Sequence, residues 1–217
     1  MKYVIMCGGE YSEFKTPRQL TVIGGEPVVK RTIRLLKANK VDDIAITATD
    51  PRFSYLGVPR LNHKNGMQVI DGTVKGYWLD AFYPSFPKDQ KVTFVFGDVF
   101  FTPEAIKKIV NYKTDKNVLF GTSEAKNEQH ENWGEPFAYI VNDYPTFMAG
   151  VRAVKTMFDE GKLKRHPIVW ELYRYLNGLD VNVQQVLDET YVTIDDGTID
   201  IDHVTDIEMI MRRFTCY

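Results

Sequence analysis

An apolar strand that runs directly into a glycine pair is the feature that most restricts the fold of this sequence. Residues 3–6 form the apolar run, and residues 7–9 are Cys-Gly-Gly. A polar loop with the cations Lys15 and Arg18 follows, before a helix that begins at Pro27. Glycine lets backbone N–H groups approach a polyanion closely, and nearby cations neutralise it. The pattern predicts a phosphate-binding loop at the end of a first strand.

A second apolar run points to the same edge of a sheet. Residues 92–96 are Val-Thr-Phe-Val-Phe, and Gly97 and Asp98 follow them. Open α/β sheets bind their ligands at the carboxyl ends of central strands, where Asp98 would lie. The alternative is a strand-end aspartate that only caps the next helix. Strand 3–6, a helix ending near Asn39 and strand 44–48 make a βαβ unit, so an α/β fold is expected.

The remaining pattern predicts one domain over residues 1–217. Residues 51–68 are polar and irregular, and they are either a functional loop or carry small strands of their own. The predicted helices are 73–82, one that starts with Thr102 as its N-cap, 146–160, 167–177 and 204–214. The further predicted strands are 117–121, 136–141, 191–194 and 198–202.

Charge and composition exclude several classes of protein. The net charge of −2 indicates no nucleic-acid surface, and no apolar stretch reaches the ~20 residues that span a bilayer. The N-terminus has no separate charged and apolar regions, so no signal peptide is expected. Cys7 and Cys216 lie far apart in the chain, which argues against a disulfide framework and favours the cytoplasm.

Four ordered motifs resemble those of nucleotidyltransferases that activate sugar phosphates and alcohol phosphates. They are Cys-Gly-Gly at 7–9, Pro-Arg-Gln-Leu at 17–20 with Gly-Glu-Pro at 25–27, Gly-Asp at 97–98, and Asp-Ile-Asp-His-Val-Thr-Asp-Ile-Glu at 200–208. The resemblance implies a Rossmann-like GT-A-type fold, in which a mixed, mostly parallel sheet is flanked by helices. It implies transfer of a nucleoside monophosphate from an NTP to a small phosphate monoester, with release of pyrophosphate.

The resemblance also assigns residues to roles. Asp98 and Asp202 would hold Mg²⁺, and Asp200 competes with Asp202 because we expect only one of the two to face the site. Arg18, at the family's lysine position, would stabilise charge on the α-phosphate, and Lys15 would help. Contacts with the nucleotide would come from Cys7, Gly8, Gly9, Gly72, Thr73 and Gly97, and contacts with the acceptor from Trp133, Gly134 and Glu135.

Some of these residues could instead have a purely structural role. Thr73 could be a plain helix N-cap, Trp133 a packed side chain in a turn, and His203 a helix-start histidine. Tyr11 and Glu13 replace a glycine and an arginine of the family loop, which motivates a non-catalytic nucleotide-binding relative as one alternative. A glycosyltransferase of the same fold is another, although Gly97-Asp98-Val99-Phe100 lacks a second aspartate.

The short chain resembles the smaller cytidylyltransferases, which favours CTP. The acceptor could be a sugar 1-phosphate, a polyol phosphate or an amino-alcohol phosphate. Family analogy suggests nucleotide-sugar biosynthesis for surface polysaccharide, and relatives of this size often form homodimers.

Overall fold

Apolar strands without a polar face form the centre of the main sheet. The computed structural model describes residues 1–8, 14, 16–63, 66–70, 73–123 and 134–214. Every residue of the strand Val92–Phe96 is buried, as are four of the five residues of Lys2–Met6. Strands of this kind must be covered on both faces, which explains why helices flank the sheet.

The described strands and helices are short and numerous. The strands are β1 (Lys2–Met6), β2 (Val22–Ile23), β3 (Glu26–Pro27), β4 (Ile44–Thr47), β5 (Arg60–Leu61), β6 (Gln68–Ile70), β7 (Thr73–Lys75), β8 (Val92–Phe96), β9 (Val99–Phe100), β10 (Val118–Gly121), β11 (Pro136–Val141), β12 (Tyr191–Thr193) and β13 (Ile199–Asp200). The helices are α1 (Val28–Ala38), α2 (Pro103–Asn111), α3 (Tyr144–Asp159), α4 (Val169–Leu176) and α5 (Val204–Phe214), with short 3-10 helices at Arg18–Leu20, Pro51–Leu56 and Trp78–Ala81.

The main sheet has seven strands in the order β12-β10-β11-β8-β1-β4-β5. Strand β1 pairs in parallel with both β4 and β8, and parallel pairing continues from β4 to β5 and from β10 to β12. Strand β11 is antiparallel to both of its neighbours. The mixed, mostly parallel sheet confirms the predicted fold class. Strands β4 and β5 follow on one side of β1, and β8 lies on the other side. The strand order therefore reverses between β1 and β8, and open α/β sheets bind their ligands at such a reversal.

Side-chain caps fix where several helices begin. The Thr102 hydroxyl accepts a hydrogen bond from the Ala105 N–H at 3.0 Å, as predicted for the start of α2. Asp143 caps α3 in the same way by accepting from the Thr146 N–H at 3.0 Å. Helix α3 begins two residues before the predicted start, because Pro145 occupies its first turn without the loss of a helical hydrogen bond.

The predicted helix over residues 73–82 is wrong. Strands β6 and β7 pair antiparallel there, and only Trp78–Ala81 is helical, as a 3-10 turn. Gly76 adopts a φ of +73°, and an added Cβ would lie 2.0 Å from the Gly66 carbonyl oxygen. A left-handed residue this close to another backbone segment stops a helix from running through the region.

Candidate active site

The carboxyl ends of β1 and β8 pack closely enough to require glycine. The Gly97 N–H donates to the Met6 carbonyl at 3.0 Å. A Cβ at position 97 would lie 2.4 Å from that oxygen and 3.0 Å from the Cys7 sulfur. Gly97 therefore lets the chain turn against β1, and Asp98 follows at the end of β8 with a side chain that is 14% exposed.

A two-stranded ribbon brings the C-terminal motif to Asp98. Strand β13 pairs antiparallel with β9, and the Ile201 N–H donates to the Asp98 carbonyl at 3.1 Å. Ile201 is fully buried in a small apolar cluster that joins the N-terminal and C-terminal parts of the chain. We call this cluster the C-terminal core, and it consists of Ile23, Val28, Phe100, Ile201 and Ile210.

The burial of Ile201 places Asp200 and Asp202 on the site. Carboxylate oxygens of Glu135, Asp200 and Asp202 lie within 4.8 Å of one another, and we call these three residues the acidic cluster. Our expectation that only one of Asp200 and Asp202 would face the site is wrong. Residues two apart in extended chain point to the same side, and the residue between them is the one that turns inward.

Burial and like charge raise the pKa values of two carboxyl groups. Burial raises the pKa of Asp98, although the guanidinium of Arg18 opposes the shift. Burial raises the pKa of Asp200 well above its usual range, and the negative charges of Asp98 and Asp202 raise it further. Carboxylates at this spacing resist simultaneous ionisation unless a cation joins them. The site therefore has an affinity for positive charge built into its geometry.

Arg18 supplies a cation to this site in the described structure. Its side chain is 8% exposed, and its two terminal nitrogens form ion pairs with Asp98 and Asp202. The nitrogen that pairs with Asp202 also donates to the Ile201 carbonyl at 3.0 Å. The guanidinium thus bridges two carboxylates and one backbone carbonyl, an arrangement that we call the Arg18 bridge.

The residues beside the Arg18 bridge line the start of the predicted phosphate-binding loop. The side-chain amide nitrogen of Gln19, which is fully buried, approaches the Gly8 carbonyl at 3.5 Å. Cys7 is buried, and burial together with the charge of Asp98 raises the pKa of its thiol well above the usual range. A thiol held neutral in this way is not a nucleophile. Gly9, Tyr11, Glu13 and Lys15 lie outside the described residues.

A cavity of about 400 Å³ adjoins the acidic cluster. Its volume is within the range that holds small ligands. It is lined by Thr122, Glu135, Phe137, Thr198, Ile199, Asp200, Asp202, His203 and Asp206. The predicted acceptor residue Glu135 lines this cavity, and so does His203. Gly134 comes directly before Glu135 with a φ of +72°, and Trp133 lies outside the described residues.

Sequence reasoning missed several residues that line the cavity. Asp206 accepts hydrogen bonds from the N–H groups of Asp202 and His203, at 3.0 and 2.7 Å, and so fixes the turn before α5. An acidic residue at the third helical position is a sequence signal for such a cap, and it could have identified Asp206. Thr122, Phe137 and Thr198 carry no comparable signal, because strand pairing alone brings them here.

Two residues, Gly72 and Thr73, are predicted to border the nucleotide base. Thr73 is an exposed residue of β7 and is not a helix N-cap. It is not among the described residues that line the cavity. Gly72 lies outside the described residues.

The donor set fits a hard divalent cation. Asp98 and the acidic cluster offer carboxylate oxygens, the ligands that Mg²⁺ prefers. A cation bound there would offset the burial and like charge that raise the pKa values of Asp98 and Asp200. None of the described helices is long and apolar enough to cross a membrane.

Solved structures of nucleotidyltransferases share the fold over nearly the whole chain. A putative glucose-1-phosphate thymidylyltransferase from Bacillus anthracis is 15% identical with a TM-score of 0.61, over 98% of this chain and 94% of that one. The 4-diphosphocytidyl-2C-methyl-D-erythritol synthase from Anaerococcus prevotii is 13% identical with a TM-score of 0.62, over 99% of this chain and 97% of that one. The CTP:phosphocholine cytidylyltransferase from Streptococcus pneumoniae is 15% identical with a TM-score of 0.53, over 98% of both chains. At these identities the likeness is one of fold.

The sequence itself matches a family model. The model is described as the MobA-like NTP transferase domain, and it matches residues 3–175, well over half of the chain. The match includes β1, the Arg18 segment, Asp98 and Glu135. No curated protein matches the sequence.

Proposed function

The chain belongs to the family of MobA-like NTP transferase domains, and we propose from this premise that it transfers a nucleoside monophosphate from an NTP to a small phosphate monoester. Pyrophosphate is the second product, CTP is the favoured nucleotide, and the acceptor is a sugar phosphate or an alcohol phosphate. The observation that carries the proposal is the convergence of Asp98, Asp202 and Arg18 beside a cavity at the carboxyl ends of β1 and β8.

The proposed reaction is a displacement at phosphorus. An oxygen of the acceptor phosphate attacks the α-phosphorus of the NTP, and the bond to the pyrophosphate oxygen breaks. Catalysis of such a transfer depends mainly on positioning and on stabilisation of negative charge. Backbone N–H groups near Gly8 are suited to contact the phosphates, and the planar fork of Arg18 is suited to bind two phosphate oxygens at once.

Asp98 and Asp202 are the residues that would hold Mg²⁺, with Asp200 and Glu135 close enough to contribute. When bound there, Mg²⁺ supplies positive charge to the phosphate oxygens during the transfer. The carboxylates would hold the ion at the strand ends, and the buried Ile201 fixes Asp200 and Asp202, the aspartates on either side of it in the chain.

The cavity beside the acidic cluster is suited to the acceptor. Its lining offers the hydroxyls of Thr122 and Thr198 and the carboxylate of Glu135. These groups can bond the hydroxyls of a sugar or polyol, and the carboxylates also suit the ammonium group of an amino alcohol. The volume of about 400 Å³ limits the acceptor to a small molecule.

CTP is the first nucleotide to test. Two similar structures carry cytidylyl chemistry in their names, and each is matched over at least 97% of its own chain. The thymidylyltransferase among the similar structures makes dTTP the second choice. A cytoplasmic location, a homodimer and a role in activating a polysaccharide building block complete the proposal.

The test is pyrophosphate release from each of the four NTPs and dTTP, with Mg²⁺, across a panel of phosphate monoesters. We expect one pair of substrates to give turnover that EDTA abolishes. Asp98→Asn should lower kcat/KM by about a hundredfold or more, because it removes a charge that binds the metal. Asp43→Asn is the matched control, since Asp43 comes just before β4, at the opposite edge of the sheet, and pairs with Lys2.

Two other outcomes would overturn the proposal. Transfer or hydrolysis of a nucleotide sugar without any use of NTP would assign the chain to glycosyl transfer. Mg²⁺-dependent NTP binding without turnover, unchanged after Tyr11→Gly and Glu13→Arg, would make it a nucleotide-binding relative. Thermal shift with each NTP, with and without Mg²⁺, separates that outcome from a missing acceptor.

A further inference from the structure

The Arg18 bridge occupies the position between the two carboxylates that the proposed function assigns to the metal. One terminal nitrogen pairs with Asp98, and the other pairs with Asp202 and donates to the Ile201 carbonyl at 3.0 Å. The ordinary roles of the two partners are to bind phosphate and to bind metal. In the structure, the guanidinium and the two carboxylates bind each other.

The bridge and a bound metal would compete for the same two carboxylates. Arginine stays charged at any pH at which a protein is folded, so the bridge cannot be released by loss of a proton. A dication that bound Asp98 and Asp202 while Arg18 remained between them would stand beside a fixed positive charge in a poorly hydrated site. Like charges at such separations repel strongly there. Metal binding therefore requires Arg18 to move.

Backbone hydrogen bonds fix the turn that carries Arg18, so a displacement of the guanidinium would be a rotation of the side chain. The 3-10 turn at Arg18 is closed by backbone hydrogen bonds from Leu20 to Pro17 at 2.8 Å and from Thr21 to Arg18 at 3.0 Å. Gln19 packs its amide against the Gly8 carbonyl, so the turn lies next to the predicted phosphate-binding loop. A guanidinium binds phosphate with the same two-pronged geometry that it uses for carboxylates, and a triphosphate is a ready acceptor for it.

We propose that Arg18 is an internal counter-cation that keeps the metal position closed until a nucleotide draws it away. The anionic triphosphate takes the guanidinium from Asp98 and Asp202, and the freed carboxylates then bind the metal. Metal and nucleotide binding are thereby coupled, and each raises the affinity of the protein for the other by the same factor. Arg18 acts here as a positioning residue for the metal site. The inference rests on the proposed function, because it uses the metal and nucleotide which that function assigns.

The test measures binding of Mn²⁺ alone, by calorimetry, to the wild-type protein and to three variants. Arg18→Gln removes the bridge, and Arg18→Lys keeps the charge but removes the planar fork. Arg34→Gln is the matched control, because Arg34 is an exposed residue of α1 that forms an ion pair with Glu26 of β3. We expect Arg18→Gln to bind Mn²⁺ at least about tenfold more tightly than wild type, which corresponds to about 1.4 kcal/mol. Arg18→Lys should lie between the two, and Arg34→Gln should match wild type.

The titrations are repeated with a saturating non-hydrolysable CTP analogue, corrected for the Mn²⁺ that the analogue binds in solution. The analogue should raise the Mn²⁺ affinity of the wild type, and this gain should shrink in Arg18→Gln. Far-ultraviolet circular dichroism checks that each variant is folded. If Arg18→Gln does not fold, Arg18→Lys alone decides the question.

Equal Mn²⁺ affinity of the wild-type protein and Arg18→Lys would overturn the bridge, because charge alone would then explain any effect of Arg18→Gln. Equal affinity of the wild type and Arg18→Gln would also overturn it. These readouts are independent of turnover. If the wild type turns over substrate but Arg18→Gln and Arg18→Lys bind Mn²⁺ no more tightly than it does, the bridge is rejected and the proposed function is kept. If the variants show the expected gain in Mn²⁺ affinity but no acceptor gives turnover, the bridge is kept and the proposed function is rejected.

Discussion

At the residue scale, the position of Asp98 depends on the glycine before it. Gly97 has no positive φ, so its role is one of space, set by the Met6 carbonyl and the Cys7 sulfur. The next residue carries one of the two carboxylates of the Arg18 bridge. A side chain at position 97 would therefore push the end of β8 away from β1 and move Asp98 with it.

We expect Gly97→Ala to destabilise the protein by about 2–3 kcal/mol, since the added methyl overlaps backbone rather than a mobile side chain. Urea unfolding measures the change. Gly150→Ala on α3 is the control, because its methyl meets the ends of the Leu172 and Leu176 side chains. The control should change stability by less than about 1 kcal/mol, helped by the better helix propensity of alanine. An equal loss in both variants would contradict the close approach at Gly97.

The motif residues were predictable one by one, whereas their neighbours were not. Asp98, Arg18 and Asp202 stand in ordered sequence motifs, and the structure brings them together. Thr122 and Phe137 reach the cavity only through the pairing of β10 with β11, which no local pattern specifies. The sequence motifs did not predict that Arg18 would bind Asp98 and Asp202 directly.

At the element scale, a local signal decides between helix and hairpin. Val74, Trp78 and Phe82 have the spacing of a helix face, and this periodicity led to the wrong prediction for residues 73–82. The dipeptide Asp71-Gly72, between Val69-Ile70 and the β-branched pair Thr73-Val74, is a hairpin signal that outweighs this periodicity. Short apolar runs are ambiguous in this way, and turn residues then carry more information than periodicity.

Helix α4 depends on a buried charge network at its first turn. Glu171 accepts from the Ile168 N–H at 2.9 Å and from the Arg165 side chain at 2.7 Å. Its carboxylate also lies 3.8 Å from the guanidinium of Arg174, which is fully buried. Burial lowers the pKa of Arg174 to about 10, and the charge of Glu171 opposes that shift.

We expect Glu171→Gln to destabilise the protein by about 3–5 kcal/mol, because it removes a negative charge 3.8 Å from a buried guanidinium. Chemical denaturation gives the value. Glu189→Gln serves as the control, since Glu189 pairs with Lys116 on the exposed surface. That variant should unfold at the same denaturant concentration as wild type. A small effect of Glu171→Gln would mean that other groups compensate the charge of Arg174.

At the scale of the whole molecule, the sheet order explains why distant motifs meet. Strands β4 and β5 lie on one side of β1, and β8, β11, β10 and β12 lie on its other side, so β8 comes to pair with β1. The C-terminal core then ties α5 and β13 to the N-terminal half. The α/β class followed from the alternation of strands and helices, and the resemblance implied a mixed, mostly parallel sheet. The order of the strands was not predicted, because no local pattern specifies which strands pair.

The concentration of carboxylates at that edge should make the stability of the metal-free protein depend on pH. The pKa of Asp200 is raised in the folded state, so the folded protein binds a proton that the unfolded chain has released. The stabilisation that this group contributes is fully present below the unfolded pKa of about 3.9, and it is lost as the pH rises through the folded pKa.

The variant Asp200→Asn tests this dependence, because asparagine cannot ionise and its side-chain oxygen can still accept from the Ile201 N–H, which lies 2.9 Å from the Asp200 carboxylate. In EDTA we expect it to match wild type near pH 4 and to exceed it by at least about 1 kcal/mol at pH 7.5. Urea unfolding from pH 4 to 8 measures the difference, with Asp43→Asn as the control. A variant less stable than wild type at pH 7.5 would show that Arg18 already neutralises the cluster.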